Sequence, residues 1–304
     1  MNKYLEQLFC RLAITSIGLD GEEIDQVTSM EKPQIYVKPG YIVATAFDTL
    51  KNYSCKYKIL EKTELITSIG EVVIIEILDE GKALVAGPSK VKDMQKLTNI
   101  LEKYKLEKII IDGAFSRQAF AKAADATIFV VGANKDKNID NVVKDAFLQY
   151  RKFTLKTLPL KPYSFGENIS FIDREGNFEE LSFSSVIGNV NDIFVDEVLK
   201  AKFLYIPKTI TNKFVEKLIV ERGKYVFDLI IDSPINIQLK DENLEKLFKL
   251  NFNIFVLNPV NLALVCYNPY SPRGYDFDNM EFKSKLETAL ETEVINALEG
   301  DTNE

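Results

Sequence analysis

Apolar residues follow two rhythms along the chain, short unbroken runs and stripes at helical spacing, and the two alternate. Runs at 72–78, 108–111, 127–131, 203–206, 226–231, 253–257 and 262–267 are rich in Val, Ile, Leu and Phe and predict buried strands. Stripes at 91–104, 115–124, 138–153, 212–222, 242–250 and 280–290 predict amphipathic helices. Strands alternating with helices, several of the strands wholly apolar, imply a mostly parallel sheet covered on both faces. Residues 34–37 and 41–46 read as short strands around a Lys38-Pro39-Gly40 turn, and 79–82 as a turn joining 72–78 to 83–86 in a hairpin. A second hairpin is expected over 168–184, turning at Asp173-Arg174-Glu175-Gly176. Tyr4, Leu5, Leu8 and Phe9 form a stripe that reads as the end of an amphipathic helix. Pro159 and Pro162 give 155–165 the look of a linker, so the expected domains are 1–154 and 155–304. No repeat of fixed period occurs; TSIG appears at Thr15 and again at Thr67, the second time without an acidic follow-up.

Composition narrows the function classes. A chain of 304 residues is long enough for two domains. The net charge of −7 argues against nucleic-acid binding, which needs a basic surplus on some face. No apolar run approaches the ~18–20 residues of a membrane span, and the first residues lack the layout of a signal peptide. Cys10, Cys55 and Cys266 are odd in number and widely spaced, as in a reduced, cytoplasmic protein with buried thiols. The chain has no histidine, which removes Ser-His-Asp triads, His general bases and His-ligated zinc together. Neither zinc nor haem is expected. Chemistry would fall to carboxylates, Lys, Cys, Tyr or a hard cation such as Mg²⁺.

Four segments could carry such chemistry. TSIGLDGE, Thr15 to Glu22, follows the apolar Leu12-Ala13-Ile14, and Asp20 and Glu22 would lie where a buried strand opens into a loop. Asp112-Gly113 after Ile109-Ile110-Ile111 has the form of a Walker B strand end, where a carboxylate holds Mg²⁺ beside a triphosphate. Each also reads as an ordinary Asp-Gly turn. Asn134-Lys135-Asp136 has the outline of a base-reading NKxD loop with the acid one position early, and a polar turn is the plainer reading. The loop 268–278 is dense in Pro, Gly and Tyr; its Arg273 could pair with a phosphate or carboxylate, or the loop could simply pack its tyrosines. No G-x-x-x-x-G-K-[ST] phosphate loop occurs in the chain. Carboxylates without such a loop have no phosphate to act on, so no catalytic residue is assigned and no NTPase activity of its own is expected.

Taken in order, ITSIGLDGE, Glu31-Lys32-Pro33-Gln34-Ile35-Tyr36-Val37 with Pro39-Gly40 and Ala44-Thr45-Ala46, Ala86-Gly87-Pro88-Ser89, Ile111-Asp112-Gly113-Ala114-Phe115-Ser116-Arg117, Asp125-Ala126-Thr127 and NPYSPRGYDFD form a set. That set resembles the P-loop-containing subunit of the reactivating factor for lysine 5,6-aminomutase, an adenosylcobalamin enzyme of lysine fermentation. The resemblance runs from near Met1 to about Asp278. It implies a P-loop NTPase-like sheet over 1–154, incomplete at the N-terminus, and a second, smaller α/β domain over 155–304. It also implies a MutS-like ATPase subunit and lysine aminomutase as partners.

In that family a glycine-rich GKT loop opens the chain, and the helix after it leads into the TSIG strand. Residues 1–11 match the later part of that helix, so the strand and loop before it are expected to be missing. A late start, a truncated gene or a partner that fills the gap would each account for this. The resemblance places Asp20 and Asp112 as Mg²⁺ ligands only where a phosphate loop is supplied, with Glu22, Gly113 and Arg273 as further nucleotide-site residues. ATP and Mg²⁺ then belong to a full-length form. The alternatives are a Mg-nucleotide-dependent ligase resembling dethiobiotin synthetase and a truncated, nonfunctional remnant.

Overall fold

The computed structural model describes residues 11–18, 34–113, 124–158, 164–250 and 252–298. The stripe of Tyr4, Leu5, Leu8 and Phe9, nearly all of the helix expected over 115–124, and both Asp20 and Glu22 lie outside the described residues. The chain divides into two compact units, residues 1–123 with 300–304 and residues 124–299.

The described part of the first unit carries β1 (Leu12–Ser16), β2 (Ile35–Val37), β3 (Ile42–Ala46), β4 (Tyr57–Thr67), β5 (Gly70–Ile77), β6 (Gly81–Ala83), α1 (Val91–Leu101) and β7 (Lys108–Asp112). Five strands form one sheet in the order β4-β5-β3-β1-β7. β1 runs parallel to β3 and β7, whereas β5 is antiparallel to both β3 and β4. The sheet is therefore mixed, where the apolar runs suggested a mostly parallel one. All five residues of β1 and of β3 are buried, as expected of strands covered on both faces.

Alternation along the strands divides the core. Ala13, Ala44, Val72 and Ile74 pack under Met94, Leu97 and Leu101 of α1. Val43, Val73, Ile75 and Ile77 pack on the opposite side with Val37, Leu50, Ala83 and Val85. Each large aliphatic side chain so buried contributes about 1.5–3 kcal/mol relative to exposure.

Two expectations fail here. The segment 57–67 is a strand that the sequence pattern did not reveal, because charged residues interrupt it. Charges of that kind are usual on an edge strand, and β4 is the last strand at its end of this sheet. The expected hairpin of 72–78 with 83–86 is also absent: β5 pairs with β4 through the Thr67–Gly70 turn, and β6 pairs with β2. Gly70 takes φ +111° in that turn, a conformation glycine adopts without a Cβ penalty. The second TSIG is thus a hairpin turn, while the first ends a buried parallel strand.

The second unit carries β8 (Thr127–Gly132), α2 (Ile139–Phe153), β9 (Lys156–Thr157), β10 (Ser170–Asp173), β11 (Phe178–Glu180), α3 (Val190–Ile193), β12 (Ala201–Ile206), α4 (Asn212–Glu221), β13 (Asp228–Ile231), α5 (Asp241–Lys249), β14 (Ile254–Val256), β15 (Leu262–Asn268), β16 (Tyr270–Ser271), β17 (Tyr275–Asp276), α6 (Asn279–Leu290) and β18 (Ile295–Asn296). One sheet has the order β11-β10-β12-β13-β14-β9, with β12, β13, β14 and β9 parallel. A second, wholly parallel sheet has the order β18-β15-β8. Phe214, Val215 and Leu218 of α4 and Leu244, Leu247 and Phe248 of α5 join Leu204, Ile206, Leu229 and Ile231 in the main core.

Three of these helices begin on side-chain caps. Asn138, Thr211 and Asp278 accept the N–H groups of Asp140, Phe214 and Glu281 at 2.9, 3.4 and 2.8 Å. The segment 155–165 does not mark the division between units. Lys156 and Thr157 pair with β14, and α2 packs on α6, so 127–153 belongs with the C-terminal elements. The second unit is accordingly the longer one rather than the smaller.

Candidate functional site

The sheet of the first unit gathers three of the singled-out segments at one end. Because β1, β3 and β7 are parallel, Ser16, Ala46 and Asp112 all stand at carboxyl ends, the side where open α/β sheets hold ligands. The register sets Ser16 opposite Asp112. Ile17 N–H then donates to the Asp112 carbonyl at 2.8 Å, and Gly18 N–H to the Pro88 carbonyl at 3.1 Å. Gly18 takes φ +61°, which turns the chain as it leaves the strand. TSIG, AGPS and the Asp112-Gly113 turn are thereby one connected structure.

Hydroxyl groups lock it. Thr15 Oγ1 donates to the Ala44 carbonyl at 2.9 Å and Ser16 Oγ to the Val85 carbonyl at 2.8 Å. Thr45 Oγ1 accepts the Ala86 N–H at 3.0 Å and lies 2.8 Å from Thr49 Oγ1. Ala46 N–H donates to the Ala86 carbonyl at 2.7 Å. Two glycines permit the approach: a Cβ on Gly87 would lie 2.1 Å from the Ser16 carbonyl oxygen, and one on Gly113 would lie 2.4 Å from Ile17 Cδ1. Sequence reasoning missed these hydroxyls. Their only signal was the Thr-Ser and Thr pairs inside apolar strands, where an unpartnered hydroxyl would be costly.

Asp112 is exposed, and its carboxylate forms no hydrogen bond or ion pair with a described residue. Magnesium usually takes one or two protein carboxylates together with substrate phosphates, and phosphates need convergent N–H donors. At this edge the N–H groups of Ile17 and Gly18 are both engaged. The described residues alone do not fit Mg·ATP: the exposed Asp112 ends β7 and the exposed Asp48 stands just past β3, but without a phosphate cradle. Among the described residues no group of three or more Cys, Asp and Glu could hold a metal ion.

Arg273 belongs to the second unit, where it sits in the turn between β16 and β17. The turn is well braced. Ser271 N–H donates to Asp276 Oδ1 at 3.0 Å, Arg273 N–H to Ser271 Oγ at 3.2 Å, and Tyr275 OH to the Ala133 carbonyl at 2.7 Å. Arg273 as a residue is exposed. The structure therefore unites Asp112 and Gly113 with the TSIG strand, whereas Arg273 lies in the other unit.

The Asn134-Lys135-Asp136 loop is engaged in holding α2. Lys135 pairs with Asp145 at 2.9 Å, and Asp136 accepts the Asn138 N–H at 2.7 Å and the Asn141 amide at 3.2 Å. The Asn138 and Asn141 bonds hold the Asp136 carboxyl below the usual carboxylate range.

One buried charge escaped the sequence reading. Lys152 of α2 is only 3% exposed, and burial pushes its ammonium down to about 8, with Asp145 and Asp241 partly opposing the shift. Cys55 and Cys266 are free thiols, both pushed upward first by burial. Among the described residues no helix is long and apolar enough to cross a membrane.

Comparisons with protein-family models, curated proteins and solved structures find no match to this chain. The structure establishes an α/β protein with mixed sheets that include parallel strands.

Proposed function

We propose that this chain is a subunit of a reactivating, chaperone-like factor for adenosylcobalamin-dependent lysine 5,6-aminomutase, working with a MutS-like ATPase subunit. The ordered motif set in the sequence motivates this reading. The observation that carries it is that three of those motifs, far apart in sequence, meet at the carboxyl end of one sheet. Thr15–Gly18, Ala86–Pro88 and Asp112–Gly113 are joined there by direct backbone hydrogen bonds. Convergence at the ligand-bearing end of parallel strands is what a shared site would require.

In this reading the chain supplies recognition and scaffolding, and ATP hydrolysis belongs to the partner subunit. The exposed Asp112 carboxylate, which engages no described residue, is placed to meet a cation or a basic group of a bound partner. The test is restoration of activity to an aminomutase inactivated by damaged cobalamin. Recovery should require this chain, the ATPase subunit and ATP together. Equal recovery with this chain omitted would overturn the reading.

A further inference from the structure

A separate groove of about 410 Å³ opens between β4 and α1, lined by Thr63, Glu64, Leu65, Lys96, Asn99 and Ile100. That volume falls within the ~300–1,000 Å³ typical of small-molecule sites. Its lining carries opposite charges, Glu64 from the strand and Lys96 from the helix, together with Asn99, one helical turn beyond Lys96, and the apolar Leu65 and Ile100.

The backbone holds the acidic wall in an unusual conformation. Glu64 takes φ +60°, a left-handed conformation that costs a non-glycine residue ~1–2 kcal/mol. The pairing of β4 with β5 shifts register between Lys62 and Ile66. Thr63 Oγ1 donates to the Val72 carbonyl at 2.7 Å and accepts the Leu65 N–H at 3.3 Å, and Glu64 N–H donates to Glu71 Oε1 at 2.9 Å. These bonds fix the Glu64 backbone on both sides, yet its carboxylate has no hydrogen bond or ion pair with a described residue.

Among the described residues, Lys96 pairs with its helical neighbour Asp93, at 3.7 Å. Where β4 and the segment following α1 are cross-linked by charge, the partners do close: Glu61 pairs with Lys103 at 2.9 Å and with Tyr104 at 3.0 Å. Glu64 and Lys96 form no such pair, although both line the groove.

We propose that this groove binds a small zwitterion, with an ammonium group against Glu64, a carboxylate against Lys96 and Asn99, and an aliphatic spacer on Leu65 and Ile100. The site lies apart from the carboxyl-end cluster and does not rest on its proposed role.

The test is an NMR titration of the full chain with 6-aminohexanoate, with hexanoate and hexylamine as single-charge probes. Saturable shifts of the amides of 63–65 and 96–100 are expected with 6-aminohexanoate. Loss of one exposed ion pair, through either single-charge probe or through Glu64→Gln or Lys96→Met, should weaken binding by about five-fold. The proposal is overturned by the absence of saturable shifts, or by hexanoate or hexylamine binding as tightly as the zwitterion. The two single-charge probes need no altered protein, so the result does not depend on how either variant folds.

Discussion

The N–H of Ile17 donates to the carbonyl oxygen of Asp112 at 2.8 Å, tying the loop that leaves β1 to the last residue of β7. The bond continues the parallel ladder one residue past β1. It puts the Gly18 turn beside the exposed end of β7, and AGPS is tied to the same turn by the Gly18 N–H to Pro88 carbonyl bond. The arrangement depends on small residues at the crossing points and on hydroxyls that satisfy buried backbone groups.

Gly87 is the tightest of these crossing points. The atoms that a Cβ would meet first are the Ser16 carbonyl oxygen, a backbone atom, at 2.1 Å and Thr15 Oγ1, held by its bond to the Ala44 carbonyl, at 2.6 Å. Gly87→Ala should destabilise the protein by about 1–3 kcal/mol in denaturant unfolding. Gly223→Ala, with no atom within 4 Å of the new Cβ, is the control and should have little effect.

Thr45 Oγ1 is the acceptor for the buried Ala86 N–H at 3.0 Å. Thr45→Val keeps the shape and removes that acceptor, so the N–H is left unsatisfied at a cost of about 1–3 kcal/mol. Thr45→Ser should recover most of the loss, because the hydroxyl returns. Thermal melting of the pair against wild type distinguishes the hydrogen bond from the lost methyl.

Lys152 gives a pH signature. Its folded-state value, about 8, lies below the ordinary 10.5, so the unfolded chain holds more protons between those values. Stability should therefore rise with pH from about 8 toward 10.5, and below 8 the buried charge costs about 3 kcal/mol at most. Lys152→Met should be more stable than wild type at pH 7, and the advantage should shrink as pH is raised to 9.5. An advantage that is constant with pH would show that packing, not charge burial, is responsible.

Much of the second unit is legible in the sequence, because α4, α5 and α6 and strands β12, β13 and β14 each carry their own local period and, in several cases, a cap. What escaped the sequence is non-local. β4 reads as a polar segment, since Lys58, Glu61, Lys62 and Glu64 break its apolar alternation. β6 is three residues long, and it pairs with the distant β2 while its Gly81 packs so near the 54–55 segment that a Cβ there would lie 2.7 Å from Cys55 Cβ. β9 has two residues and no periodicity, so the proline-bearing stretch around it looked like a linker. At the candidate site the sequence marked Asp112 and Gly113. It could not show that AGPS would bridge to TSIG, which depends on hydrogen bonds spanning about 70 residues, such as Ser16 Oγ to the Val85 carbonyl.

Asp112 separates structure from function. Its carboxylate is exposed and engages no described residue, so Asp112→Asn should leave stability within about 0.5 kcal/mol of wild type. If the carboxylate meets a partner or a bridging cation, the same substitution should weaken partner association. Matched melting curves with unequal association would assign Asp112 to recognition; equal association would remove it from the site.

The most direct measurement is association of the purified full chain with lysine 5,6-aminomutase and the MutS-like ATPase subunit, followed by size-exclusion chromatography with light scattering, with and without ATP and Mg²⁺. The account predicts a complex containing this chain in at least one nucleotide condition, weakened by substitution at Asp112 or Gly87. Separate elution of this chain from both proteins under every nucleotide condition would contradict it.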